Sequence, residues 1–501
     1  MDIGEFLTKK IKKIKKDDFI IIGFLFVLGI VNYFYFMTNN VLSADGMFNG
    51  PMFFAGNWEF DLGRPLLVLI DKIKFGLVSV PIIMFFSFIY MAISVLIIKK
   101  IFNIKKLFTM LLIALILVLF PVLSESSLCI YCFDSYMISM LTSILSIYFI
   151  NKKKYVFSII LIIISLSIYQ AYISITIVGV MILFIRDILK NKCDLKRLFI
   201  NMLVIFIGLI SYFIILKVLF LIFHRTFADY KGASSFGFLA LIKNLPIGIL
   251  NCYKDFYQYF ITDNIIFNNY YHRNIINIMI FCLFIISIIK PFIKLNIKNK
   301  LLFILSIVIL PICTNIMDLI AISTNITLMT GIGFLFIYIL IIVIADEYLD
   351  IKILKNLLYI LIIILSYTFL LSNNSTFMAR DEIYNNFYYE CNQLLYKIKN
   401  VEGYRDDLPV MINDIFKYNS SFVKSSNGFF ALQNQTFENQ VGLSGYSVFY
   451  KRYFGEDITM VDKNKYFEIV EKDEYKDMNI NEVKIIDDVI VYKISDNILY
   501  E

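Results

Sequence analysis

Charge is scarce in this chain. Of its 501 residues only 17% are Asp, Glu, Lys or Arg, while 59% are hydrophobic; soluble domains carry about 25% charged and about 45–50% apolar residues. That deficit excludes an ordinary soluble enzyme, and a mean hydropathy of +0.74 marks a polytopic α-helical membrane protein. Zinc-ligand spacing is missing too: the seven cysteines are scattered, mostly through apolar runs where a thiol behaves as a small hydrophobe. Cys129 and Cys132 in "SSLCIYCFD" have redox spacing, but no redox-fold pattern surrounds them and they read as incidental. No 20–50-residue repeat and no inverted repeat is visible, which argues against many transporter folds. No small-residue cleavage site follows the apolar run from Phe19 to Met37, so that run is expected to remain as a first span. The net charge of +7 sits in short basic clusters between apolar runs, the pattern of cytoplasmic loops and not of a nucleic-acid surface.

What is abundant is apolar length. A helix rises 1.5 Å per residue, so about 20 apolar residues cross a hydrocarbon core about 30 Å thick. About eleven such windows are present, near residues 18–38, 76–98, 107–124, 135–150, 155–170, 171–186, 199–223, 275–290, 300–316, 327–345 and 355–372. The fifth and sixth share a run too long for one span and short for two, with the turn expected at Tyr169-Gln170-Ala171-Tyr172. With the N-terminus placed in the cytoplasm, the inner segments hold 24 Lys or Arg, and the short outer connections near 125–133, 170 and 317–326 hold none. The positive-inside rule therefore predicts an odd number of spans and a C-terminus outside. The segment from His224 to Asn274 contains a mixed apolar and polar stretch suited to a helix lying along the membrane surface. Residues 1–372 form the expected membrane domain. Residues 373–501 alternate helix-like and strand-like segments and are expected to form a small extracytoplasmic α/β domain.

Polar residues gather where spans meet the expected outer face: Asp45, Glu59, Asp61, Arg64 and Asp71 after the first span, Glu125 and Asp134 around the third and fourth, then Gln170, His224, Arg225, Arg273 and Asp318. Ionisable groups at membrane depth are costly and tend to be functional or paired, an inference that weakens toward the boundary. A site acting on a lipid-linked sugar phosphate would need an apolar groove, cations for the phosphate and a carboxylate to accept the proton of the attacking hydroxyl. Asp45, between Ser43 and Gly46, is the first candidate base; the alternative is a solvated turn. Arg64 in "DLGRPLL", Arg225 and Arg273 are candidate phosphate ligands, against the alternative of interface arginines reaching for headgroups. Asp134 opens the fourth span and divides evenly between a catalytic carboxylate and a helix cap. Tyr169, Gln170, Tyr172 and Glu125 could contact sugar hydroxyls; the aromatics could equally belong to an interfacial belt. Nothing demands a cofactor, although Glu59 and Asp61 leave a divalent metal open.

In order and spacing, four motifs resemble a known group: an acidic residue in the first outer loop, the Gly-Arg step of "DLGRPLL", the span opening "FDSYMISML" and the Tyr-Gln turn of "IYQAYISI". Together they look like the bacterial type II glucosyltransferase family, the serotype-converting transferases of surface polysaccharide, over roughly residues 20–190. The resemblance implies a membrane-embedded C-type glycosyltransferase architecture (GT-C), a polyprenyl-phosphate sugar donor, and transfer to an envelope polysaccharide or teichoic-acid-like acceptor on the outer face. It casts Asp45 as the first-loop acid, Arg64 as the Gly-Arg arginine, Asp134 as the span-opening acid and Gln170 as the turn glutamine. The family's first-loop acid can be Glu and is often one of a pair, so the lone Asp45 departs from that pattern. The rival readings are a transporter or flippase and a polymerase for lipid-linked glycans. Sugar, acceptor, stereochemistry and oligomeric state stay open.

Overall fold

The computed structural model describes residues 15–39, 41, 54–228, 238–262, 271–319, 328–414 and 443–497. It divides into two compact units: of the described residues the first holds 15–37 and 54–373, and the second holds 38, 39, 41 and those from 374 onward. The first unit is helical: α1 (Lys16–Thr38), α2 (Asn57–Asp61), α3 (Pro65–Ile73), α4 (Val80–Phe102), α5 (Leu107–Leu119), α6 (Pro121–Ser127), α7 (Ile130–Asn151), α8 (Tyr155–Leu166), α9 (Ile173–Leu189), α10 (Leu195–Phe223), α11 (Phe238–Tyr257), α12 (Arg273–Ile293), α13 (Ile297–Thr314), α14 (Gly333–Tyr348) and the start of α15 (Lys352–Lys399). Each of the eleven apolar windows is occupied by a helix. By length and composition eight described helices can cross a membrane, or nine if the bent pair α5–α6 is one span. The multi-pass character of the chain rests on these.

The bend has a local cause. Pro121 has no N–H and disfavours helical backbone at the residue before it; Phe120 accordingly adopts φ −62, ψ 125, and the two helices diverge by 41°. Helix α8 has 12 residues, about 18 Å at 1.5 Å per residue, which cannot span the hydrocarbon alone. Its shortness explains why the run it shares with α9 is too short for two full spans, and the break between them falls at the 3-10 turn Gln170–Tyr172. Between α7, α8 and α9 small hydroxyl side chains do the joining: Ser139 and Ser143 both meet the Ser165 hydroxyl, at 2.9 and 2.7 Å, and Ser146 meets Thr176 at 2.9 Å. In lipid, where apolar surface gives no net drive for helix association, close packing by small residues and such bonds, each about 0.6 kcal/mol, hold helices together. Helix α14 is buried along Gly333–Ala345 and is the central element of this unit.

The basic segments gather at one end of the bundle. Lys99 pairs with Asp18, Lys106 with Asp346, Arg186 and Lys190 with Glu347, and Lys290 with Asp350. The second unit contains a three-stranded sheet of β1 (Val410–Ile412), β2 (Val483–Ile486) and β3 (Val489–Tyr492) in the order β1-β3-β2, with β1 parallel and β2 antiparallel to β3. Phe387, Cys391 and Leu394 of α15 share its core with Tyr446, Phe449, Tyr450 and the strand residues Met411 and Ile490.

Candidate functional site

At the opposite end of α7 and α9 from the basic segments, a polar cluster forms between the α2–α3 segment and the starts of those helices. The short helix α2 is closed by its own glutamate: Glu59 Oε2 accepts the Gly56 N–H at 2.8 Å, and its other oxygen accepts the Tyr131 hydroxyl at 3.2 Å. Gly63 then turns the chain with φ +81, a conformation that disfavours side chains. Space confirms the requirement: a Cβ there would lie 2.7 Å from the Tyr212 hydroxyl and 3.0 Å from Gln170 Nε2. Pro65 starts α3 in the position where its missing N–H costs nothing.

Arg64, half-buried, leaves this turn toward the Tyr-Gln motif. Its guanidinium lies 4.8 Å from the Tyr169 ring centroid, and Nε donates to Gln170 Oε1 at 3.4 Å. Tyr169 in turn stacks on Tyr136, centroids 4.5 Å apart. Gln170 Nε2 donates to the carbonyls of Leu62 and Gly63 at 2.8 and 3.2 Å, and Tyr212 from α10 donates to the Gly63 carbonyl at 2.6 Å. The amide of Gln170 thus fixes the loop that presents Arg64. A second cation lies nearby. Lys74, just past α3, bonds Asp134 Oδ1 at 2.7 Å and the Tyr131 carbonyl at 3.0 Å and lies 3.6 Å from Asp71. Tyr136, on which Tyr169 stacks, and Asp134, which Lys74 holds, lie two residues apart on α7, so both cations are directed at the start of that helix. Burial pushes the Asp71 carboxyl up, opposed by the Ala55 N–H that donates to it at 2.6 Å and by Lys74.

Three segments far apart in sequence, "DLGRPLL", "FDSYMISML" and "IYQAYISI", therefore meet at one place. A family model, that of glucosyl transferase GtrII, matches residues 34–340. The chain belongs to that family. No curated protein and no solved structure matches it. As a GtrII glucosyltransferase the protein is a membrane-embedded enzyme, and the matched region contains every described residue of the polar cluster.

Of the residues expected from sequence, Arg64, Asp134, Tyr169 and Gln170 are brought together, with Tyr172 packed 5.3 Å from Tyr169. Asp134 does not cap its helix: the N-cap of α7 is Cys129, and Asp134 lies a turn further in, held by Lys74. Arg225 is elsewhere on the same segment, with its Nε bonded to Asp61 Oδ1 at 2.8 Å and its Nη2 to the other oxygen. A paired guanidinium is less available to a phosphate than a free one. Arg273 begins α12, buried, and donates to Ser372 at 2.9 Å with Tyr271 over its face. Glu125 is buried in α6. Asp45 lies outside the described residues. Cys129 and Cys132 are not joined in a disulfide, and the Cys132 thiol donates to the Cys129 carbonyl at 3.3 Å. No group of three or more His, Cys, Asp or Glu side chains among the described residues could hold a metal.

Sequence reasoning passed over Lys74 and Tyr212. Lys74 had a signal, since Asp71 precedes it by three residues on a helical stretch and such pairs face each other. Tyr212 had almost none: it is one phenol within the apolar run of α10.

Proposed function

We propose that this GtrII glucosyltransferase moves glucose from a polyprenyl-phosphate donor to an envelope polysaccharide or teichoic-acid-like polymer on the outer face of the membrane. The observation that carries the reading is the convergence of Arg64 and Lys74 beside buried carboxylates at the end of the bundle away from its basic segments. A sugar phosphate presents two demands there. Its phosphate leaves with developing negative charge, which Arg64, braced on Tyr169 and Gln170, is built to receive through a planar fork of donors. The attacking hydroxyl must lose a proton to a carboxylate within hydrogen-bond reach. Asp45 keeps that role by resemblance. Asp134, tied to Lys74, is better cast as the residue that aims the second cation at the phosphate. Gln170 and Tyr169 border the sugar. Arg225 and Arg273 stand further off as phosphate contacts, and Glu125 as a sugar contact. In the same reading the N-terminus is cytoplasmic and residues 373–501 form a soluble α/β domain on the outer side.

The test is transfer in proteoliposomes supplied with radiolabelled polyprenyl-phosphate glucose and envelope polymer. Wild type should transfer label, and Asp45→Asn and Arg64→Gln should abolish transfer while folding normally. Full activity of Arg64→Gln would remove the phosphate role, and failure of wild type with any hexose donor would remove the donor assignment. In sealed cells, cleavage of the C-terminal tail by protease added outside is expected; cleavage only from the cytoplasm would overturn the orientation.

A further inference from the structure

The segment that presents Arg64 shows far more apolar surface than the site uses. Trp58 of α2 and Leu69 and Ile73 of α3 are 53%, 53% and 68% exposed, and Phe75 and Leu77, just past α3, are 77% and 46% exposed. Leu67 and Asp71, four positions apart on α3, are buried, while Leu69, Lys72 and Ile73 share the opposite, exposed side. Phe75 has φ +55, a conformation rare for a bulky residue, and the turn it makes leaves its ring outside the protein. Exposed apolar surface of this extent marks a partner.

The depth of this surface identifies the partner. Helix α8 starts after Lys152, Lys153 and Lys154 at the basic end of the bundle, where Asn151 accepts from Arg197 at 2.8 Å, and it rises about 18 Å. Its far end receives α3: the Ser167 carbonyl accepts the N–H groups of Leu66 and Leu67 at 3.1 and 3.4 Å. A hydrocarbon core about 30 Å thick therefore extends roughly 10 Å beyond the point where α3 begins, and any tilt of α8 only deepens that point. Past the other end of α3, Lys74 meets Asp134, which α7 carries about 26 Å along from Asn151. Both ends of α3 thus lie within the membrane thickness, although its nine residues are too few to cross it. Backbone at that depth needs its polar groups satisfied internally, and here they are: Phe75 donates to the Lys72 carbonyl at 3.0 Å, Gly76 to Asp71 and Leu77 to Lys74, both at 3.2 Å. The exposed row continues into Ile82, Phe85 and Phe86 of α4, a helix long enough to cross, whose outward face meets lipid. We propose that α2 and α3 form a re-entrant segment seated in the lipid leaflet at the end of the bundle away from its basic segments, with Trp58, Leu69, Ile73, Phe75 and Leu77 against acyl chains. Lys72, exposed among them, keeps its stem with the chains and its ammonium at the headgroups. Phe60 packs on Phe220 and Phe223 at the end of α10, centroids 5.7 and 5.5 Å away, which sets neighbouring Trp58 at the interface level that tryptophan favours. The bilayer thereby fixes the height of Arg64 and Lys74, the cations that flank α3.

Trp58 is the sole tryptophan of the chain, so the wild type already carries one reporter and a Trp58→Phe background accepts others. The full chain is placed in vesicles of phosphatidylcholine brominated along its acyl chains, and tryptophan emission is compared with that in unbrominated vesicles. Emission from the wild type, and from Leu69→Trp and Phe75→Trp each made in the Trp58→Phe background, is expected to fall by about half. Emission from Leu69→Trp or Phe75→Trp that bromine leaves unchanged while iodide in the buffer quenches it overturns the proposal, because the face then meets water. Each substitution exchanges one exposed apolar side chain for another, so both variants should fold. If either does not, Trp58 of the wild type decides: quenching by bromine supports the seated segment, and none overturns it. The measurement reads position and not sugar transfer, so it is independent of the donor and acceptor assigned to the enzyme.

Discussion

Lys74→Met is the substitution whose consequences the structure specifies most fully. The ammonium lies 2.7 Å from Asp134 and 3.6 Å from Asp71, and its side chain is 20% exposed against 7% and 2% for the acids. At an effective dielectric of about 20 the two attractions amount to about 6 and about 5 kcal/mol. Desolvation returns much of that, and removing one partner of a buried pair costs about 3–5 kcal/mol in practice because the other charge is left without compensation. Water reaching a fifth of Lys74 lowers the expected loss to about 2–4 kcal/mol. Met keeps the apolar stem and removes only the charge. Adding Asp134→Asn to Lys74→Met should recover part of the stability, since one stranded charge is gone, and none of the sugar transfer. Asp71 would still accept the Ala55 N–H. The assay is reversible detergent unfolding of the purified chain, paired with transfer measured at equal folded protein. A Lys74→Met enzyme as stable as wild type, or a double variant less stable than the single, would refute the reasoning.

Gly63→Ala should cost about 1–2 kcal/mol for the left-handed backbone alone and more for the collision with Tyr212 and Gln170; Tyr212→Phe in that background should return part of the stability by removing the hydroxyl, as unfolding midpoints will show. Either Asp61→Arg or Arg225→Asp alone should lower the thermal midpoint through repulsion, and combining them should restore it, because the pair is a bidentate contact between α2 and the residue after His224. Changing both Cys129 and Cys132 to Ser should leave transfer intact, since no disulfide joins them; loss of activity specific to oxidising or reducing conditions in the wild type would contradict this.

The site was legible in part. Arg64, Asp134 and Gln170 stood out because polar residues beside apolar runs are conspicuous, and their order carried the family resemblance later shown by the match over residues 34–340. What they touch was not legible. Asp134 read equally well as a helix cap, and its pairing with Lys74 bridges 60 positions of sequence. Asp61 and Arg225 are separated by 164, and Gln170 and the Leu62 carbonyl by 108. Asp318 was visible as a lone acid, whereas its pairing with Asp255 through the Asn315 amide came into view only when α11 was laid against the turn after α13.

The sequence by itself determined where the helices lie and that the basic segments share one end of the bundle. Both follow from local sums: the transfer of about 20 consecutive side chains out of water, and the bias against carrying Lys and Arg across a membrane. Tertiary structure alone decided which charges are partnered, which turn needs glycine, and which acids are left facing one another. Those outcomes depend on contacts a few ångströms long between residues that the packed bundle, and no local pattern, brings together.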